Sequence, residues 1–513
     1  EKIAIEASVY GELAEKYTSL DVEEQFDLAR RVKDAMGATA SRLSLIPDTK
    51  EDKREAVVLI NNLPVIFEPL NNALLVGEPG IGKSRLAYEF RRSLGIPDWV
   101  EGAAFSHARN APYFAFRPLL RQLAGVDPEA DLSAMRDHLH RRLWDLSPDL
   151  ATFAPEILSI LGTAREALRQ AEVRDDRQDR LRQAVSSWVQ AECRQAPRLL
   201  VIEDLQWLDP SSEELLRHLA LDSRGVRLML LMTSRLPITG TNLELGRVRE
   251  IFLKALSTED IHALVDAQVE PYPATDRLRR TVAARSEGNP FYVEELVRAF
   301  RERGDLVLDH GSYDLRHGVE AVVPSTINAL ISSRMDRLPV SARELLADAA
   351  VLGKGFSLAH LRALTGGDRF EEDLALVERR GFLDRQAQGP VASLAFRHVL
   401  TQEVAYGALL QSERQTRHRG AAEMLERLYR GRTEEVCDQL AYHWAQSDRR
   451  VQALPYLLTA ADGAVAVGAN QEAIGHLQAA LDLATEHPAA AGKEQLNAIR
   501  LKLAGLHFVV GER

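Results

Sequence analysis

The sequence predicts a multidomain protein built on an α/β domain and continued by helical modules. The 513 residues are too many for a single hydrophobic core. Apolar segments alternate with helical ones between residues 58 and 255, which is typical of three layers around a parallel sheet. The first two strands are expected at residues 73–76 and 102–107. From residue 433 onwards the chain reads as helical and rich in alanine.

The composition is that of an ordinary globular protein, with 45% hydrophobic and 27% charged residues. Its net charge of −11 argues against broad electrostatic coating of nucleic acid. The two cysteines, Cys193 and Cys437, are far apart and indicate neither a disulfide framework nor a zinc site, so we expect a cytoplasmic protein. Because no apolar run approaches about 18 residues, we expect no membrane span. The start at Glu1 suggests a fragment of a longer chain.

Residues 74–84, LLVGEPGIGKS, carry the clearest chemistry. They read as a buried strand followed by a loop of the form G-x-x-x-x-G-K-[ST], the P-loop pattern. Its glycines allow a tight turn that directs backbone N–H groups at phosphate oxygens. Lys83 would reach the β- and γ-phosphates of a nucleotide, and Ser84 would bind Mg²⁺. The alternative is an ordinary glycine-rich turn. The candidate binding residues of this loop are Gly77, Glu78, Pro79, Gly80, Ile81, Gly82, Lys83 and Ser84.

Two later strands end in further candidate residues. Four apolar residues lead into Glu203 and Asp204, so a buried strand would deliver one carboxylate to Mg²⁺ and another to the attacking water. Either acid is a candidate metal ligand, and the order of their roles stays open. The strand at 227–232 leads to Arg235, which can contact the γ-phosphate from the ligand-binding edge of the sheet. An exposed arginine that closes the strand is the alternative.

Several further blocks between residues 70 and 485 share the pattern of one protein family. They are APYFAFRPLL (111–120), LVIEDLQWLDPSS (200–212), SEGNPFYVEEL (286–296), VPSTI with RMDRL (323–338) and FRHVLTQEVAY (396–406). Together with the P-loop they resemble the bacterial STAND ATPases, which are signal-transducing relatives of AAA+ proteins. The branch they resemble is the one fused to class III nucleotide cyclases or found in large LuxR-type regulators.

This resemblance implies a switch that binds ATP or ADP with Mg²⁺, and it adds two site residues. Pro290 matches a proline that packs near the adenine, and His398 matches a histidine that contacts the ADP β-phosphate and locks the resting state. Read without the family, Pro290 simply starts a helix and His398 is a structural histidine. The sequence departs from the family at residues 52–57, which lack its Val-Gly-Arg segment. The Glu-Asp order also reverses the AAA+ Asp-Glu order, so we expect binding with slow Mg²⁺-dependent hydrolysis of ATP.

The fold class predicted is therefore a P-loop NTPase of the α/β type followed by a helical lid, a winged helix and TPR-like repeats. Ser257 to Asp260 form a good cap for the first lid helix. The basic segment 414–419 reads as a solvated helix face, with phosphate contact as the alternative. The predicted domains are 1–57, a helical segment of unknown role; 58–255, the P-loop ATPase domain; 256–305, the lid; 306–432, the winged helix with connecting helices; and 433–513, the repeats.

These features predict a nucleotide-gated signalling switch. A protein or small-molecule signal at the repeats would favour opening, nucleotide exchange and assembly into a homo-oligomer in the ATP state. Two alternatives stay open: the ATPase part of a LuxR-type DNA-binding regulator, and the regulatory half of a class III cyclase. Residues 485–513 are too short for a LuxR-type helix-turn-helix, and residues 1–57 are too short for a cyclase domain. We expect no membrane partner and no nucleic-acid binding by this chain alone.

Overall fold

The computed structural model describes residues 72–94, 99–105, 108–125, 132–161, 177–222, 226–240, 245, 248–318, 324–386, 393–488 and 492–511. The predicted N-terminal helical segment at 1–57, with the departure at 52–57, lies outside these residues. The chain divides into two compact units, which are described in turn. The first comprises the described residues of 1–99, 196–201 and 223–337, and the second those of 100–195, 202–222 and 338–513.

A five-stranded sheet forms the α/β part, in the strand order β2-β3-β4-β1-β5. Strand β1 pairs in parallel with both β4 and β5, as the sequence predicts. All five residues of β1 are buried, which suits a strand covered on both faces. The strands are β1 (Asn72–Val76), β2 (Trp99–Ala103), β3 (Arg198–Glu203), β4 (Leu228–Ser234) and β5 (Arg249–Phe252).

The second strand lies three residues earlier than the sequence predicts. The prediction placed it at 102–107, whereas β2 covers Trp99–Ala103. Trp99 and Val100 supply the buried side chains, and the strand ends at Ala103. A Cβ on Gly102 would lie 2.0 Å from the carbonyl oxygen of Ala115. Gly102 is therefore a position of close backbone approach inside the strand, and not the residue at which the strand begins.

Helix α1 (Lys83–Leu94) follows β1 and packs on the sheet in the first unit. Its Leu86 and Phe90 join Leu75 and Val201 in one buried cluster. Apolar residues at helical spacing thus meet apolar residues of two parallel strands, which is the expected packing of a layered α/β domain.

The predicted lid region lies in the same unit and has its own core. The capping box is confirmed: Ser257 Oγ accepts the Asp260 N–H at 3.1 Å, and an Asp260 carboxylate oxygen accepts the Ser257 N–H at 3.3 Å. Buried residues such as Val265, Leu278 and Leu296 join the helices. The elements within 256–305 are α8 (Thr258–Gln268), α9 (Asp276–Ser286) and α10 (Pro290–Arg303). The hairpin β6 (Leu306–Asp309) and β7 (Ser312–Leu315) and helix α11 (Ile327–Met335) follow in the same unit, in the stretch predicted to belong to the winged-helix region.

The second unit includes several helices among its described residues between 116 and 195. Helix α7 follows β3 and begins at Pro210. The helices are α2 (Phe116–Ala124), α3 (Leu132–Leu146), α4 (Pro148–Ala151), α5 (Ala154–Ile160), α6 (Arg177–Gln195) and α7 (Pro210–Asp222).

Five helices and a three-stranded antiparallel sheet, in the order β8-β10-β9, lie between residues 340 and 428, within the region predicted to be a winged helix with connecting helices. The assignment to the winged-helix class stays a prediction. The elements are α12 (Val340–Leu352), β8 (Gly355–Ser357), α13 (Leu358–Thr365), α14 (Phe370–Arg379), β9 (Leu383–Gln386), β10 (Ser393–Phe396), α15 (Val399–Gly407) and α16 (Gln411–Leu428).

Four helices complete the second unit, and each packs against the next: α17 (Cys437–Gln446), α18 (Ala453–Ala466), α19 (Asn470–Glu486) and α20 (Lys493–Val510). Leu440, Trp444 and Leu477 are among the buried residues that join them. Their assignment as TPR-like repeats stays a prediction. None of the helices in the described part of the chain is long and apolar enough to cross a membrane.

A buried carboxylate joins two segments of the second unit. Asp209 precedes α7 and accepts the N–H groups of Tyr113 at 2.8 Å, Phe114 at 3.2 Å and Ser212 at 2.9 Å. The Ser212 hydroxyl donates to it at 2.6 Å. Burial, followed by the nearby Glu472 carboxylate, raises the pKa of Asp209 to about 7. Asp209 thus starts α7 and holds the turn at 113–114 against it.

We expect Asp209→Ala to lower the free energy of unfolding by about 3 kcal/mol or more, because two buried N–H groups, one partly buried N–H group and a buried hydroxyl lose their acceptor. Urea unfolding followed by circular dichroism measures this. Asp368→Ala, at an exposed position, is the matched control and should change the free energy by less than about 0.5 kcal/mol. Equal stability of the two variants would contradict a structural role for Asp209.

Candidate functional site

The predicted phosphate-binding loop connects β1 to α1 in the first unit. The Gly77 N–H donates to the carbonyl oxygen of Ser234, the last residue of β4, at 3.2 Å. Gly80 and Gly82 have φ angles of +85° and +99°, in the left-handed region that favours glycine. Helix α1 begins directly after the loop at Lys83, so its unpaired N-terminal N–H groups adjoin the loop. The backbone geometry therefore suits a phosphate group.

The side chain of Lys83 lies across the loop. Its Nζ donates to the carbonyl oxygens of Gly77 at 2.7 Å and Glu78 at 3.0 Å, and the residue is buried. Ser84, the next residue of α1, is exposed. The ammonium is thus already placed inside the loop, where a negatively charged ligand would be attracted to it.

The turn before α10 contacts the loop. Asn289 caps α10, since its Oδ1 accepts the Tyr292 N–H at 3.3 Å, and its Nδ2 donates to the Pro79 carbonyl oxygen at 3.0 Å. The Phe291 N–H donates to the Gly80 carbonyl oxygen at 3.3 Å. Pro290 is therefore the first residue of α10, as predicted, and its two neighbours bind the loop.

Asn289 is a site residue that the sequence reasoning did not single out. An asparagine directly before a proline is a good signal for a helix cap. That signal locates the helix but does not reveal the contact with Pro79.

Arg235 follows Ser234 at the end of β4 and is half-buried. Since the Ser234 carbonyl oxygen accepts the Gly77 N–H, Arg235 leaves the sheet beside the start of the loop. The first unit therefore brings together the loop, Arg235 and the Asn289–Pro290 turn. Contact between Arg235 and a γ-phosphate stays a prediction.

The two predicted acids meet a lysine in the second unit. Lys354 Nζ lies 3.1 Å from Glu203 Oε2 and 3.4 Å from Asp204 Oδ2. Burial lowers the pKa of Lys354, but attraction by Glu203 and then Asp204 outweighs it, so the pKa lies above its ordinary value. Sequence reasoning missed Lys354, because a lysine before a short strand has nothing to distinguish it from a solvated one.

Asp204 has a left-handed backbone, with φ 60° and ψ 51°, which costs a residue with a Cβ about 1 kcal/mol or more. The Gln206 side-chain amide donates to Asp204 Oδ1 at 3.1 Å, and the Asp204 carbonyl oxygen accepts the Trp207 N–H at 2.9 Å. The chain thus turns sharply at the end of β3, and both acids reach the same ammonium group.

These acids suit a hard cation. Two carboxylate oxygens converge on one positively charged group, which is the ligand chemistry that Mg²⁺ prefers. Among the described residues, no group of three or more His, Cys, Asp or Glu side chains is arranged to hold a metal. Mg²⁺ is usually held by one or two carboxylates together with phosphates and water. Glu203, Asp204 and Ser84 remain its predicted protein ligands.

His398 has a local structural role in the second unit. It caps α15, and its Nδ1 accepts the Leu400 N–H at 3.1 Å. The Phe396 N–H, two residues earlier, donates to the Lys354 carbonyl oxygen at 2.8 Å. His398 therefore lies two residues after a strand that is hydrogen-bonded to the Lys354 backbone, while contact between His398 and a nucleotide phosphate stays a prediction.

Comparison with known proteins places an ATPase domain on this geometry. Residues 61–231 match the family model described as "AAA ATPase domain". An uncharacterised protein of Rhizobium meliloti (strain 1021) is 25% identical over 462 residues, which are 84% of this chain and 42% of that protein. The chain thus spans less than half the length of this relative.

Two solved structures are similar to the chain. One is a Signal Transduction ATPase with Numerous Domains (STAND) protein with a tetratricopeptide repeat sensor from Pyrococcus horikoshii, at 12% identity and a TM-score of 0.41, covering 88% of this chain and 74% of that one. The other is Cdc6p from Pyrobaculum aerophilum, at 14% identity and a TM-score of 0.28, covering 71% of this chain and 95% of that one.

Since the family match includes both the loop at 77–84 and the acids Glu203 and Asp204, the chain contains an AAA ATPase domain.

Proposed function

We propose that this chain is a signal-transduction switch of the STAND type, which binds ATP or ADP and changes conformation with the nucleotide. The observation that carries the proposal is the loop at 77–84, with left-handed glycines and an internal Lys83 ammonium. Its place within an AAA ATPase domain supports a nucleoside phosphate as the ligand.

Phosphate binding at the loop would rest on backbone N–H groups and on Lys83. The ammonium would exchange its bonds to Gly77 and Glu78 carbonyl oxygens for bonds to phosphate oxygens, which are charge-assisted and stronger. Mg²⁺, when bound with the nucleotide, would neutralise phosphate charge. Glu203 and Asp204 would hold the ion and orient water, and Arg235 would contact the γ-phosphate. We propose that hydrolysis is slow and resets the switch.

The Asn289–Pro290 turn would transmit conformational changes of this loop to helix α10 within the first unit. Asn289 and Phe291 bind backbone oxygens of Pro79 and Gly80, so a change of loop conformation alters the start of α10. A Cβ on Gly80 would lie 2.8 Å from Asn289 Oδ1, which shows how closely the turn approaches. We propose that the nucleotide state is read through this contact.

Signal input is proposed at the helical repeats of the second unit. Glu472 on α19 accepts the N–H of Ser211, in the first turn of α7, at 2.7 Å. One turn along α19, His476 Nε2 lies 2.8 Å from the carbonyl oxygen of Asn110. Because α7 starts shortly after Asp204, movement of α19 would shift the start of α7 and with it the chain next to the acids. A protein or small molecule bound to the repeats is the proposed signal.

We expect Lys83→Ala to weaken the binding of ATP and ADP by about 10- to 100-fold, because a charge-assisted hydrogen bond to phosphate contributes about 1.5–3 kcal/mol. Calorimetric titration of the full chain measures both affinities. Lys254→Ala, at an exposed position in the same unit, is the matched control and should bind normally. The proposed function fails if Lys83→Ala, shown to be folded by circular dichroism, binds both nucleotides as the wild type does.

We expect Glu472→Ala to speed the release of ADP by about fivefold, because α7 loses a cap supplied by the repeats. Stopped-flow displacement of a fluorescent ADP analogue measures the rate. Glu472→Gln keeps an oxygen acceptor for the Ser211 N–H and should stay near the wild-type rate. Glu486→Ala, in the exposed ion pair with Arg450, is the control on the same helix. An unchanged rate in Glu472→Ala would remove this route from the mechanism.

A further inference from the structure

The ammonium of Lys354 faces both predicted metal-binding acids in this structure. It lies 3.1 Å from Glu203 Oε2 and 3.4 Å from Asp204 Oδ2. The lysine side chain is only 23% exposed, and those of Glu203 and Asp204 are 11% and 14% exposed. At this level of burial the attraction is screened less than in a surface ion pair.

Lys354 is held in place by its own module. Helix α12 ends at Leu352, and Gly353 follows with φ +110°. The Lys354 carbonyl oxygen then accepts the Phe396 N–H at 2.8 Å, and β8 begins at Gly355. The backbone is thus fixed between a helix end and a three-stranded sheet. Withdrawing the ammonium from the acids therefore requires either a new side-chain conformation or movement of the module at 340–396.

We propose that Lys354 is an internal counter-cation that competes with Mg²⁺ for Glu203 and Asp204, and that loading Mg²⁺–nucleotide requires its displacement. This inference rests on the proposed function, since it concerns the regulation of the same site. Two positive charges cannot share the same carboxylate oxygens without strong repulsion. Mg²⁺ also requires near-ideal geometry at about 2.0–2.1 Å from its oxygen ligands, so an ammonium cannot remain between the acids and the ion.

The competition distinguishes nucleotide bound with Mg²⁺ from nucleotide bound without it. Binding of Mg²⁺-free nucleotide at the loop leaves the Lys354 contacts with the acids intact. Binding that depends on Mg²⁺ must in addition break the two ionic contacts of Lys354 with the acids. The apparent affinity of the nucleotide-bound protein for Mg²⁺ is therefore reduced. By linkage, Mg²⁺–nucleotide favours the state in which the module at 340–396 has released the acids.

The test measures how the ATP affinity of the full chain depends on Mg²⁺ concentration, by calorimetric titration from EDTA to saturating Mg²⁺. Lys354→Met removes the charge and keeps the length of the side chain. For Lys354→Met we expect the Mg²⁺ concentration at which half of the increase in ATP affinity is reached to fall by about tenfold. The affinity for ADP in EDTA should not change. Lys354→Arg keeps the charge and should retain the wild-type Mg²⁺ dependence. Lys502→Met, which breaks the exposed pair with Asp462, is the matched control.

Amide hydrogen exchange gives a second readout that does not depend on turnover. In the wild type, adding Mg²⁺–ATP should speed exchange of the Phe396 N–H and its neighbours, whereas ATP in EDTA should not. In Lys354→Met this difference should shrink. An unchanged or increased Mg²⁺ requirement in Lys354→Met overturns the inference, because the lysine would then support the site instead of competing for it. The proposed function fails separately, through undiminished nucleotide binding by Lys83→Ala.

Discussion

The carboxylates buried around the end of strand β3 must be given donors, because an uncompensated buried charge costs several kcal/mol. For each of these carboxylates, a segment distant in the chain supplies a hydrogen-bond donor or a positive charge. Asp209 accepts the N–H of Tyr113, Glu472 accepts that of Ser211, and Glu203 with Asp204 meets the Lys354 ammonium. The turn at 113–114, helix α19 and the segment around Lys354 are thus attached to the same short stretch of chain. This requirement explains how those three regions pack as one unit.

Features governed by local rules could be predicted from the sequence. The loop at 77–84 is specified by glycines at fixed spacing, and Gly80 and Gly82 adopt the positive φ angles that only glycine tolerates easily. The capping box at Ser257 and the helix start at Pro290 depend on side chains within four residues of the N–H groups they satisfy. Strand β1 is recognisable because burial on both faces demands an unbroken apolar run.

Contacts between residues far apart in the chain could not be predicted in the same way. Lys354 lies 151 residues from Glu203, Asn289 lies 210 residues from Pro79, and Glu472 lies 261 residues from Ser211. Each is a polar residue on an ordinary helix, cap or strand end, and hydrophobic periodicity says nothing about polar partners. The close approach of Ala115 to Gly102 within β2 likewise appears only in the folded chain.

The segment from Glu203 to Ser212 is contacted by two residues that are distant in the chain. Lys354 acts on the acids directly, through charge, whereas Glu472 acts on the helix that follows them, through a backbone N–H. The first contact opposes a bound cation, and the second fixes the position of α7. Under the proposed function, a signal bound at helices α17–α20 would change the geometry of the segment, while Mg²⁺–nucleotide would change its charge balance. Both contacts end on the same ten residues, and this segment is where we propose that the binding of a signal and the binding of Mg²⁺–nucleotide are coupled.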